Sequence, residues 1–120
     1  MDWITIPTCP PSKSNSYRII TIAGHASLGK TKALKEYERT FYLSMGTYRN
    51  ARVEGLFRLD LRVYFPSLSH DLDNALKVIL DCLQTGGAIK NDNRCASIHA
   101  EKFIDKVAPR VELRITDLEL

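Results

Sequence analysis

The chain is poor in the residues that build metal clusters and disulfide frameworks. Cysteine occurs three times, at Cys9, Cys82 and Cys95, an odd count without paired spacing. Such cysteines read as reduced thiols in a cytoplasmic protein. His25, His70 and His99 are scattered, and together with Cys95 they lack the spacing of a zinc site. His70 abuts an acidic cluster and reads as a half-exposed loop residue, and His99 as a structural residue of a strand. No apolar run approaches the ~20 residues of a bilayer span. Met1-Asp2-Trp3-Ile4 carries neither the basic start nor the apolar run of a secretory signal. There is no repeat and no low-complexity tract. What remains is an ordinary balance, 44% hydrophobic and 26% charged, over 120 residues. That length suits a single domain, residues 1–120, with one core.

The net charge of +3 is unevenly spread. Residues 1–62 hold ten Lys/Arg against five Asp/Glu, whereas residues 63–120 hold seven against nine. The basic first half offers a surface for phosphates. Solvated surfaces commonly carry an excess of this size, so charge alone decides nothing.

Hydrophobic periodicity gives the elements. Trp3 to Ile6 is a short strand closed by Pro7, and Thr8 to Ser16 is a turn-rich loop. Tyr17 to Ile22 reads as one arm of a ribbon turning at Gly24. Lys30 to about Met45 reads as a helix, with Leu34, Tyr37 and Phe41 at helical spacing and Gly46 at its end. Leu56 to Phe65 alternates apolar with polar, a strand dry on one side and wet on the other. Asp71 to Gln84 is the clearest helix, with Leu72, Leu76, Ile79, Leu80 and Leu83 as its apolar stripe and Gly86-Gly87 as its terminator. Ile98 to Phe103 and Val111 to Ile115 complete the set. The expected fold is a compact α+β domain, a mixed or antiparallel sheet packed with two main helices.

Carboxylates concentrate at the start of that helix, in Asp71-Leu72-Asp73-Asn74, with Lys77 one turn further on. Asp73 and Lys77 lie roughly 40° apart around the axis, beside the apolar stripe, so both heads reach the rim of a groove. Asp92 follows in the loop Lys90-Asn91-Asp92-Asn93-Arg94, and joins them if that loop folds back toward the start of the helix. Two or three carboxylates with open positions suit Mg²⁺, and a nearby lysine suits the charge of a phosphoryl transition state. Each residue also has a plain structural use. Asp71, Asp73 and Asn74 are good helix caps, Asp73 and Lys77 make an i,i+4 ion pair, and Asp92 favours a turn.

A second motif competes. Gly24 to Thr31, Gly-His-Ala-Ser-Leu-Gly-Lys-Thr, fits the pattern of a phosphate-cradling loop, with Lys30 on phosphates and Thr31 on Mg²⁺. Such loops belong to parallel sheets with several crossover helices, for which this chain is short. No later strand ends in an exposed Asp: Leu59-Asp60-Leu61 runs on, and Asp81 lies within a helix. The segment reads better as a flexible basic turn whose Lys30 and Lys32 touch a phosphate backbone, with no nucleotide cofactor.

The run Asp71-Leu72-Asp73-Asn74-Ala75-Leu76-Lys77, then Leu80-Asp81-Cys82-Leu83, then Asp92 after a glycine-containing link, resembles the RusA family of Holliday junction resolvases, often encoded by prophages. Pro10-Pro11-Ser12 through Asn15, Tyr17 and Arg18 resembles the family's N-terminal region. The similarity covers nearly the whole chain, and its specific part runs from Asp71 to Asp92. The resemblance implies a homodimeric endodeoxyribonuclease that makes paired symmetric nicks in four-way junctions by Mg²⁺-activated water attack, with Mn²⁺ as a possible substitute. It implies Asp71, Asp73 and Asp92 as metal ligands and Lys77 as the catalytic lysine. Lys13, Asn15, Tyr17, Arg18, Lys30 and Lys32 are the expected DNA contacts. Two positions depart from the family pattern: Asn91 replaces the first acid of its D-D, and Arg94 stands where Gln is expected. The loss at Asn91 keeps a non-catalytic branched-DNA binder open as an alternative.

Overall fold

The alternating segment Phe57–Phe65 forms strand β4, the centre of the molecule. Phe57, Leu59, Leu61, Val63 and Phe65 point into the core, all at most 1% exposed. This is the dry face that the alternation predicts. The computed structural model describes residues 1–118. Around β4 a four-stranded sheet has the order β1-β6-β4-β5, where β1 is Ile4–Ile6, β5 Cys95–Ile104 and β6 Arg110–Asp117. β4 pairs antiparallel with β6 and parallel with β5. The sheet is therefore mixed. The parallel pair requires a crossover, and helix α2, Leu72–Thr85, provides it.

Helix α1, Lys32–Ser44, starts two residues later than its periodicity suggests. Lys30 belongs to the preceding strand, and Thr31 caps the helix by accepting the Leu34 N–H. α1 buries Leu34, Tyr37 and Phe41. α2 buries Ala75, Val78, Ile79, Cys82 and Leu83, while Leu72, Leu76 and Leu80 are only half-buried. The predicted leucine stripe is thus rotated: smaller residues face the core, and three leucines form an incompletely covered flank. Small residues let the helices come close. A Cβ at Gly86, which caps α2, would run into Met45 Sδ at the end of α1.

Strands β2, Tyr17–Ile22, and β3, His25–Lys30, form a separate two-stranded hairpin. Its two-residue turn needs positive φ twice, which Ala23 (51°) and Gly24 (81°) supply. Gly24 to Thr31 is thus an ordered turn, strand and helix cap. It is neither the flexible turn nor the phosphate-cradling loop that its sequence allows. Among the described residues, no helix is long and apolar enough to cross a membrane.

Candidate active site

The loop after β4 delivers the chain to the start of α2 and is firmly held. Lys102 Nζ, from β5, donates to the Leu68 carbonyl at 3.1 Å and also to the His70 carbonyl. The His70 ring stacks on Phe65, with centroids 5.1 Å apart. Both contacts fix the chain just before Asp71. Asp71 sits at the N-cap position of α2, yet its side chain makes no capping hydrogen bond. Asp73, in the first turn, accepts its neighbour's N–H through Oδ1.

Asp71, Asp73, Asn74, Lys77 and Val78 line one recess of about 240 Å³ with Lys13 and Tyr17. The short turn Lys13–Asn15 and the base of the hairpin close it from the other side. Its polar equipment is two carboxylates, two lysines, one amide and one phenol. Among the described residues, no ion pair engages Asp71, Asp73, Lys77 or Asp92. The helix N-terminus adds its own partial positive charge. An i,i+4 ion pair between Asp73 and Lys77 is therefore not formed, which leaves Lys77 and the second carboxylate oxygen of Asp73 available to a ligand.

The fourth expected residue is elsewhere. Asp92 opens a short 3₁₀ turn, Asp92–Arg94, directly before β5. Its N–H donates to Gln84 Oε1 at 3.0 Å, in the last turn of α2. Twelve rises separate Leu72 from Gln84, about 18 Å along the helix. The loop does not fold back as expected, because β5 must start where β4 starts to pair with it in parallel. No group of three His, Cys, Asp or Glu able to hold a metal occurs among the described residues of one chain.

Asn91 has a structural use. Its Oδ1 accepts the Asn93 N–H at 3.0 Å and caps the turn that carries Asp92. Asn does this as well as Asp, so the missing carboxylate leaves the turn intact. Of the expected DNA contacts, Lys13 and Tyr17 line the recess and Arg18 is exposed on the hairpin. The exposed Asn15 offers its carbonyl to the Thr31 hydroxyl at 2.5 Å. Lys30 and Lys32 are engaged by α1, with Glu38 at 2.7 Å and Glu36 at 3.9 Å. His99 is exposed on β5 beside Glu101.

Sequence reasoning missed Lys102 and Gln84, the two side chains that hold the acidic loops at opposite ends of α2. Neither belongs to a motif, and both contacts arise from the crossover. The donor set at the recess fits a hard cation: two carboxylates and open space for phosphate oxygens suit Mg²⁺, which is commonly held by one or two carboxylates plus substrate. A family model described as Endodeoxyribonuclease RusA matches residues 8–116. No curated protein matches the sequence.

Proposed function

We propose that this chain, which belongs to the RusA endodeoxyribonuclease family, resolves four-way DNA junctions as a cytoplasmic homodimer by paired, divalent-metal-dependent nicks. The recess carries this reading, because it joins Asp71, Asp73 and Lys77 to the basic Lys13 and to the hairpin. Asp71 and Asp73 would hold Mg²⁺, with Mn²⁺ as a substitute. When bound, the cation neutralises charge on the phosphate and lowers the pKa of water. Lys77 and Lys13 orient the scissile phosphate, and Lys77 stabilises the charge that builds on it. Asn74 offers a further hydrogen bond to a phosphate oxygen. Lys102 holds the Asp71 loop in place, so that the carboxylates meet the phosphate without reorganisation.

A role for Asp92 in the same site then requires a second copy. Two features support one. β5 is an edge strand of ten residues, none of them buried. Its Ile98 and Ile104 are 45% and 41% exposed and, opposite Leu59 and Phe65, lie on the face of the sheet that packs on the core. Long exposed edges invite strand pairing. Asp92 precedes the start of β5, while its end adjoins the Asp71 loop, since the Asp105 N–H donates to the Phe65 carbonyl. Antiparallel pairing of two β5 edges about a two-fold axis sets Asp92 of each copy beside the Asp71 end of the other. The two resulting sites are related by symmetry, as cuts in strands of like polarity require.

The test is a labelled mobile four-way junction beside a linear duplex of the same sequence, with Mg²⁺ and with EDTA. Symmetric paired nicks on the junction alone, absent in EDTA, are expected. Junction binding without metal-dependent nicking would replace this reading with that of a branched-DNA binder.

A further inference from the structure

Among the described residues, Ile19 and Leu28 leave one face of the β2–β3 hairpin largely uncovered. Its register sets Tyr17 opposite Lys30 and Ile19 opposite Leu28. Residues two apart along a strand share a face, so Tyr17, Ile19 and Leu28 lie on one side. Tyr17 lines the acidic recess. Ile19 stands two residues further out, roughly 7 Å along the strand. Ile19 is 77% exposed and Leu28 71%, the largest neighbouring pair of aliphatics left in solvent on the hairpin. Two neighbouring aliphatics exposed to this extent can seat against an apolar surface of a ligand.

Charge identifies it. Between Trp3 and Lys35 the chain has no Asp or Glu; Lys30 and Lys32 pair with Glu38 and Glu36 of α1, while Lys13 and Arg18 carry no ion pair among the described residues. An acid-free, basic projection that starts in a phosphodiester-cutting recess faces a polyanion. In a continuous duplex, inserting an aliphatic side chain between bases costs unstacking energy. At a branch point the stack is more easily opened, so an Ile and Leu wedge reaches apolar base surface at lower cost. We propose that Ile19 and Leu28 form a wedge that seats against the bases at the branch point and lets the protein tell a junction from a duplex. This rests on the junction reading above and adds to it the element that selects the substrate.

The experiment uses a four-way junction with 2-aminopurine at the branch point, in EDTA, beside a duplex of equal length. Threonine keeps strand propensity and removes apolar surface, so the variant is Ile19→Thr with Leu28→Thr. Wild-type binding is expected to raise the fluorescence. The variant is expected to lose that rise and about tenfold in junction affinity, with duplex affinity unchanged. Leu28→Phe, which keeps an apolar wedge, is expected to retain both the rise and the preference. A threonine variant with wild-type fluorescence and preference overturns the wedge while leaving the resolvase reading standing. Loss of the dimer in light scattering overturns it too, making a second copy the occupant. Wild-type protein that binds junction and duplex equally overturns the junction reading and the wedge together.

Discussion

The two ends of helix α2 are built alike and equipped differently. At the N-terminal end, Asp71, Asp73 and Lys77 share a recess with Lys13 and Tyr17, and a lysine from β5 holds the approach. At the C-terminal end, Asp92 stands in a capped turn tied to Gln84, and among the described residues no group of three possible metal ligands forms there. Under the proposed function, the first end would hold the metal and the scissile phosphate. The other has a residue held in place by Gln84 and Asn91, about a helix length from that recess. Under the proposed function, Asp92 would serve the site of a second copy.

The largest effects are expected from the carboxylates, and they test whether the two ends act as one. Asp73→Asn should lower junction cleavage about a thousandfold, with junction affinity kept within a few-fold in a gel-shift assay. Asp92→Asn should cause a loss of the same order although it lies at the far end. A Asp92→Asn enzyme that cuts at the wild-type rate would break the comparison. Lys77→Ala should slow single-turnover cleavage about a hundredfold without changing the metal dependence.

The supporting residues sharpen the comparison further. Lys102→Met removes the donor to the Leu68 and His70 carbonyls while keeping the stem of the side chain. About tenfold loss in single-turnover rate is expected, with thermal stability little changed. Gln84→Leu should act through Asp92 in the same way and more weakly.

Asp60 provides a control away from both ends. Its side chain is 6% exposed between Arg58 and Arg114, each at 3.1 Å. Burial pushes its carboxyl up, but hydrogen bonds from Arg114 and Arg58 outweigh this and hold it below the usual range. A lowered folded pKa gives stability that is present above the unfolded value of about 3.9 and is lost as pH falls through the folded one. Asp60→Asn should therefore cost about 2 kcal/mol in urea unfolding at pH 7. That cost should shrink below about pH 4, with cleavage per folded molecule unchanged.

Much of this was legible in the residues. The alternation of Phe57 to Phe65 and the apolar spacing from Leu72 to Leu83 identified β4 and α2, because one buried face leaves a clear period in a strand or a helix. The recess was legible too, since Asp73 and Lys77 one turn apart must share a side of α2. The return of Asp92 was not. It depended on β5 pairing with β4 in parallel, a long-range choice that leaves no local trace, and that choice puts Asp92 a full helix away. β3 was hidden differently. Gly24 to Thr31 has the glycine and lysine spacing of a phosphate loop, and only its pairing with Tyr17 to Ile22 makes it a strand. Ala75 and Val78 replaced Leu72 and Leu76 in the core because α2 lies close against its neighbours, where small residues fit.

The most direct test of a site shared between chains is complementation. Asp73→Asn and Asp92→Asn proteins are unfolded together, refolded as a mixture and given a junction with Mg²⁺. If each site takes Asp71 and Asp73 from one copy and Asp92 from the other, every mixed dimer has one site with both changes and one with neither. Nicking should then return to about a quarter of the wild-type level, from random assortment in a two-fold dimer, and as single nicks in place of paired ones. A mixture no more active than its two inactive parents would show that Asp92 does not complete its partner's site.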